Sequence, residues 1–361
     1  MKTNMAKAKV AILVVLITAA ISFMAFRPTP TEIFVDGTNG SDVMGDGTTG
    51  NPYATMNKGV SVASSGDTVT CRTATYSERI DTAVQTIASG SSWSSPTTIR
   101  AQAGHTVTIA PPTAAAPAIY LRGSGNYVPS YIVLQDLILD CTGVQGAVGI
   151  QYGAGANHIR FDHVVENNMT GGGGVFISQG GGPVINAYDE FINCTFNVTG
   201  GSSANAYDGF EVTESDYCLF KNNTIIQTWG RSLLFLGKGH RILGNTVNGT
   251  LAVPPSTRTG ILISGTDGSN LAVNNAIRKV ATGIRLDVSG QRAFNNSIYG
   301  CTTGIQIINF AGFAATTVEN NLVFGNTTAI TQGGGGTNIV VNNQSTDPSY
   351  VDAVNGDLHL Q

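Results

Sequence analysis

A right-handed, single-stranded parallel β-helix with a short N-terminal capping helix is the all-β fold class that the sequence predicts. Three observations carry that expectation. A short asparagine-centred pattern recurs from the middle of the chain to its end, a second apolar pattern interleaves with it, and the composition is poor in charge and rich in glycine. At 361 residues the chain has the length of two or three ordinary domains. Stacked repeats, however, extend one core lengthwise instead of starting another.

Charged residues make up 12% of the chain and Gly occupies 45 positions, against about 25% charged and about 7% Gly on average. A hydrophobic content of 42% excludes disorder as the reason for so little charge. The formal net charge of -4 argues against a nucleic-acid partner and against attraction to an anionic membrane. Five cysteines (Cys71, Cys141, Cys194, Cys218, Cys301) form no C-x-x-C pair and read as small buried fillers.

The amino terminus reads as an export signal. Lys2, Lys7 and Lys9 precede an apolar run from Val10 to Ala20, which continues to Phe26 after Ser22. Ala20 and Ser22 suit cleavage just before Phe23, so residues 1–25 are expected to be a signal peptide. The alternative is an uncleaved anchor, because Val10 to Phe26 reaches the lower length limit of a membrane span. Either reading places the body of the chain outside the cytoplasm, secreted or at the cell surface.

Residues 81–361 carry the repeat. Clear copies of the first pattern are Phe220-Lys-Asn-Asn-Thr-Ile225, Leu243-Gly-Asn-Thr-Val247, Val273-Asn-Asn-Ala-Ile277, Phe294-Asn-Asn-Ser-Ile298 and Val318-Glu-Asn-Asn-Leu322. Anchored on the last polar position, the series runs Asp136, His163, Cys194, Asn223, Asn245, Asn275, Asn296, Asn321 and Asn343. The second pattern gives three-residue strands with one outward position each: Gln151, Phe176, Glu211, Leu234, Leu262, Arg285 and Gln306. Two short strands per repeat describe a turn of a solenoid, whose inward Ile, Val and Phe are buried only by the neighbouring turns. Asparagines at one corner can bond to each other from turn to turn, and Asn and Gly tolerate the left-handed conformation such corners need. That makes them structural. Sites such as Asn168, Asn197 and Asn248 become glycan acceptors only in a eukaryotic secretory pathway.

Residues 31–80 form the entry segment, with a helix expected through Ala63 to cover the raw edge of the first turn. Asp36, Asp42 and Asp46 invite a calcium reading, but their spacing is not that of an EF-hand loop, and turn-forming Asp-Gly accounts for them. The residues Val35-Asp36, Gly40-Ser41-Asp42, Gly47-Thr48, Pro52, Thr55, Gly66-Asp67-Thr68-Val69 and Thr75-Tyr76 resemble the entry module of secreted β-helix proteins of the pectate-lyase-like superfamily. Ala74 stands where that module usually has Gly. Asp347-Pro348 and Gly356-Asp357-Leu358-His359-Leu360 resemble its C-terminal coil. The resemblance implies the fold. It leaves the activity open, because lyases, hydrolases, epimerases, phage adhesins and inert surface proteins share this scaffold.

The densest group of ionisable residues surrounds the second pattern. Its proposed catalytic members are Asp208, Glu211, Glu214, Arg231, Arg258 and Arg285. Phe176, Tyr207, Trp229, Lys238 and His240 are the candidate substrate contacts. Cleaving a uronic-acid polymer by elimination needs a cation to neutralise the carboxylate and a base for the C5 proton. The arginines suit the first role. The carboxylates suit the second, or could ligate Ca2+, and a hydrolase would use two of them. The competing reading is a set of solvated ion pairs across turns. Compared with alginate lyases and chondroitinases of the resembled superfamily, Glu214 falls at the position of their Lys base and Phe235 at that of their Arg. The Asp-rich calcium motif of pectate lyases and the epimerases' Asp-Pro-His are absent.

The function expected is binding, with or without cleavage, of an extracellular polysaccharide. The alternative is a non-catalytic surface adhesin or structural solenoid. A phage-type tail fibre ranks last, because it does not need an amino-terminal signal. A membrane partner is expected only through an uncleaved N-terminal segment.

Overall fold

In each complete turn the chain lays one short strand on each of three parallel sheets, so the molecule is a right-handed parallel β-helix. The computed structural model describes residues 31–360 apart from 83, 113–116, 124–126, 143–147, 152–155, 169–174, 179–187, 199–208, 214, 228–231, 250–257, 266–267, 311–313 and 354–356. The signal or anchor expected at residues 1–25 lies outside the described residues. Among those described, no helix is long and apolar enough to cross a membrane. Among the described residues the first sheet has 12 strands, from Glu32–Val35 to Asn338–Val341. The second has 10, from Ala74–Tyr76 to Leu322–Phe324, and the third has 10, from Ile80–Asp81 to Thr328–Gly333.

Strands this short are stable only because each inward side chain lands on its counterpart in the next coil. Phe161, Phe191 and Phe220 occupy one register position. The rings of Phe161 and Phe191 stack at 4.8 Å, with Phe196, Phe210 and Phe235 joining the same buried cluster. Each such residue contributes about 1.5–3 kcal/mol on burial. Towards the C-terminus Ile and Val take over, among them Ile242, Ile261, Ile284 and Ile305. All five cysteines are buried free thiols, as expected, and burial pushes Cys194 and Cys301 up to about 12.

Between the first and second sheets the asparagine corner forms a ladder. The Nδ2 groups of Asn223, Asn245, Asn275, Asn296 and Asn321 each donate to the Oδ1 of the next rung, at 2.8–3.0 Å, ending on Asn343. The same Oδ1 also accepts the preceding rung's backbone N–H, and each Nδ2 reaches a backbone carbonyl. Cys194 N–H joins the ladder by donating to Asn223. The anchors Asp136 and His163 need correction. Both have positive φ, 57° and 53°, and align with the left-handed residues Asn193, Asn222 and Asn274. They therefore stand one residue before the buried rung, which in those coils is filled by apolar Leu137 and Val164.

One interior position departs from the apolar rule. Glu166 sits in register between the buried Leu139 and Phe196, and among the described residues neither carboxyl oxygen has a hydrogen-bond partner. Burial pushes its pKa up to about 8, so it is a neutral acid in the core near pH 7.

The N-terminal rung is covered by helix α1 (Met56–Val62), which buries Met56 and Val60 over the first strands. Thr55 caps it by accepting Lys58 N–H, and the Glu78 carboxylate accepts the N–H groups of Met56 and Asn57. Asp36, Asp42 and Asp46 accept backbone N–H groups of their own loops or of the segment entering α1. Their carboxylates thus act as turn and cap acceptors.

Candidate functional site

On the third sheet one register column runs through the backbone of Gly149 and Phe176 and then through the outward residues Glu211, Leu234, Leu262, Arg285, Gln306 and Thr331. Gln151, expected in this column, pairs instead with Ser178, and the place belongs to Gly149. The cause is a two-residue shift that leaves the inward alternation intact. Phe176 and Glu211 are neighbours. Glu211 and Arg285 lie three strands apart, about 14 Å at the usual spacing, too far to act on one bond directly. Leu234 and Leu262 lie between them, and both are buried although they lie outside the interior cluster.

The structure uses the other charged candidates locally. Arg285 Nε donates to Asp287 Oδ1 at 2.7 Å. Lys238 Nζ is 3.7 Å from Asp216 Oδ2, and its backbone N–H donates to Asp216 Oδ1. Arg258 is buried at the entry to strand Thr259–Ile263, and desolvation lowers its pKa. His240 is fully buried. Its Nδ1 faces the Cys218 N–H at 3.3 Å and its Nε2 faces the Leu236 carbonyl at 3.0 Å. Since the first partner only donates and the second only accepts, the ring is neutral with its proton on Nε2. It serves as a wall-forming residue bonded to Asn270 in the next coil. Asp208, Glu214, Arg231, Tyr207 and Trp229 lie outside the described residues. Among the described residues no three His, Cys, Asp or Glu side chains are grouped to hold a metal.

A different arrangement stands at the corner that leads into the first sheet. Tyr131, His158, Tyr188 and Tyr217 occupy it in four successive coils, each with a positive φ between 49° and 57°. A left-handed backbone under an aromatic side chain is strained by about 1–3 kcal/mol per residue. The rings offset that strain by stacking: centroids lie 4.4 Å apart for Tyr131–His158, 5.1 Å for His158–Tyr188 and 5.0 Å for Tyr188–Tyr217. Trp93 meets Tyr131 edge-on at 5.6 Å and carries the Arg160 guanidinium 4.2 Å from its ring centre. Arg160 is in turn bound to Glu190, 2.6 Å away. Gly239 follows Tyr217, where a Cβ would come within 2.2 Å of the ring. The faces of the rings are thus occupied by one another, while their edges remain accessible. Tyr188 is 39% and Tyr217 38% exposed. Among the described residues no protein group bonds to their hydroxyls.

With both faces of the solenoid defined, the chain can be compared with known proteins. The family model described as "Right handed beta helix region" matches residues 162–345 of the 361. The chain belongs to the right-handed β-helix family. No curated protein matches it in sequence. A rhamnogalacturonan lyase superposes with a TM-score of 0.57 at 15% identity, covering 91% of this chain and 95% of that one. A GH136 lacto-N-biosidase from Eubacterium ramulus gives 0.55 at 11% identity, covering 87% of this chain and 67% of that one. A PL6 family alginate lyase gives 0.50 at 15% identity and covers 91% of this chain, which spans 55% of that enzyme. At these identities the likeness establishes the fold alone.

The aromatic corner of this β-helix protein is absent from the sequence-based candidates. The signal was present, since Tyr131, His158, Tyr188 and Tyr217 recur at the intervals of the coil. Each stands just ahead of a buried position of the first sheet, outside both patterns that define the strands. His158→Ala should cost about 1–3 kcal/mol by removing two stacked pairs, read as a lower urea midpoint, whereas His158→Tyr should retain the stack. Burial lowers the His158 pKa, and the nearby Glu190 carboxylate opposes that shift. Unfolded chains therefore take up this proton first. Stability should fall as pH drops below about 6.5 towards the lower folded value, and His158→Tyr should flatten that part of the profile.

Proposed function

We propose that this β-helix protein is exported and binds an extracellular polysaccharide along the outside of the solenoid. The accessible aromatic ladder from Trp93 through Tyr131, His158 and Tyr188 to Tyr217 carries this reading. A Tyr ring combines an apolar body with a hydroxyl that donates and accepts, which suits a polymer presenting C–H edges and hydroxyls in alternation. The ladder supplies one aromatic ring per coil, about every 4.8 Å, three of the four being Tyr, in a line that a linear glycan can follow. The lyases and the glycosidase that share the fold act on carbohydrates by their names, in keeping with this reading. Cleavage belongs to the third-sheet face as a further part of the proposal, with Glu211 as proton acceptor.

The test is affinity electrophoresis of the purified chain in gels containing a panel of plant, algal and bacterial polysaccharides. Parallel assays follow the ultraviolet band of unsaturated ends and the release of reducing ends. Retardation by at least one polymer, weakened at least tenfold in a Tyr188→Ala/Tyr217→Ala variant with unchanged circular dichroism, is the expected result. Loss of any activity in Glu211→Gln would add catalysis. Migration unaffected by every polymer would overturn the proposal in favour of an adhesin that contacts protein.

A further inference from the structure

Beyond Tyr217 the outer face of the first sheet changes character. Four successive strands, Leu219–Lys221, Arg241–Leu243, Leu271–Val273 and Arg292–Phe294, each bury their middle residue and turn the other two outward. The outward set is Leu219, Leu271, Arg241 and Arg292 in one column, and Lys221, Leu243, Val273 and Phe294 in the other. It contains no acid and no neutral polar residue. Lys221, Arg241 and Arg292 are exposed, and none has an ion-pair partner among the described residues, while the apolar members are half-buried. Elsewhere on this sheet the cations are paired: Arg100 with Glu32 and Arg160 with Glu190. Glu319 borders the patch on its C-terminal side, in register with Phe294.

We infer that this face anchors an acidic polysaccharide strand, separately from the third-sheet face. The inference rests on the polysaccharide reading above and deepens it by fixing the charge of the ligand and the place where it lies. Three unpaired cations on an apolar floor, in a chain of net charge -4, complement a polymer that carries both C–H faces and carboxylates or sulfates. Arg241 and Arg292 stand two strands apart, about 10 Å, and each guanidinium can grip one anionic group with two donors. A neutral glycan would leave those charges without counterpart. A lipid surface would gain only about 1 kcal/mol from each of them, too little for stable attachment by this face alone.

The experiment measures retention of the full chain on immobilised polygalacturonate, dextran sulfate and neutral dextran across a salt series. Phosphatidylserine vesicles are run beside them. The native chain should bind an acidic polymer in a salt-sensitive manner, with little retention on dextran. Lys221→Gln/Arg241→Gln/Arg292→Gln, all at exposed positions, should weaken acidic-polymer binding at least tenfold and flatten its salt dependence. Unchanged binding in this variant, with loss in Tyr188→Ala/Tyr217→Ala, would overturn the inference and leave the polysaccharide reading standing. Absence of binding to any polysaccharide would overturn both. Vesicle capture that requires the three cations, without acidic-polymer binding, would reassign the face to membranes.

Discussion

Asn275→Ala should destabilise the protein by about 3–6 kcal/mol, as an equilibrium urea midpoint well below that of the parent. Asn275 Nδ2 donates to Ile242 O at 3.0 Å and to Asn296 Oδ1 at 2.9 Å. Its Oδ1 accepts Asn245 N–H at 2.9 Å and Asn245 Nδ2 at 3.0 Å. Every atom involved belongs to a buried rung, so water cannot replace what the truncation removes. Each buried group left without its partner costs about 1–3 kcal/mol. The neighbouring Asn274, whose φ is 58°, provides the control. Asn274→Gly keeps the conformation available, and Gly244 already fills the same column with a φ of 65°. That variant should stay within about 0.5 kcal/mol of the parent. Equal midpoints for Asn275→Ala and the parent would show that the ladder is ornamental.

Glu166→Leu should act in the opposite direction. It removes two buried oxygens that have no hydrogen-bond partner among the described residues, and it places Leu beside Leu139 of the preceding coil. The gain should be about 1–3 kcal/mol at pH 5, and it should grow as pH rises. Between the ordinary Glu value of 4.5 and the folded value of about 8, the unfolded chain has released this proton while the folded chain retains it. In that window the parent loses about 1.4 kcal/mol of stability per pH unit from this residue. Above the folded value both states are ionised and the loss levels off. Urea midpoints of parent and variant at pH 5, 6, 7 and 8 should therefore diverge. Parallel profiles would mean that Glu166 does not titrate in the core.

These two residues also mark how far the sequence could be read. The ladder from Asn223 to Asn343 was legible because Asn recurs in pairs with an apolar residue on either side, a pattern that few structures other than a stacked corner require. Its first members were displaced by one residue, because Asp136 and His163 resemble a rung while occupying the left-handed step before it. Glu166 was not legible. A strand of three residues, Val165–Asn167, carries too little alternation to show which side faces inward, and polarity alone places Glu outside. Only its register with Leu139 and Phe196 reverses that assignment. The third-sheet candidates show the same limit. Strand order put Glu211 and Arg285 on one column with Leu234 and Leu262 between them, as the structure has it, but it did not reveal that both leucines are buried or that Asp287 holds the arginine.

The asparagine ladder has a consequence for how the chain can vary over generations. Each rung from Asn223 to Asn321 presents the same donor to the rung ahead and the same acceptor to the rung behind. The joint between any two of them is therefore interchangeable with the joint between any other two. At this corner, duplicating or deleting one whole coil creates no new kind of contact, and the intervals of 22, 30, 21, 25 and 22 residues between successive rungs show that the rest of a coil can lengthen or shorten without breaking the ladder. What must be kept from generation to generation is the joint, while the loops between joints are free to drift in length.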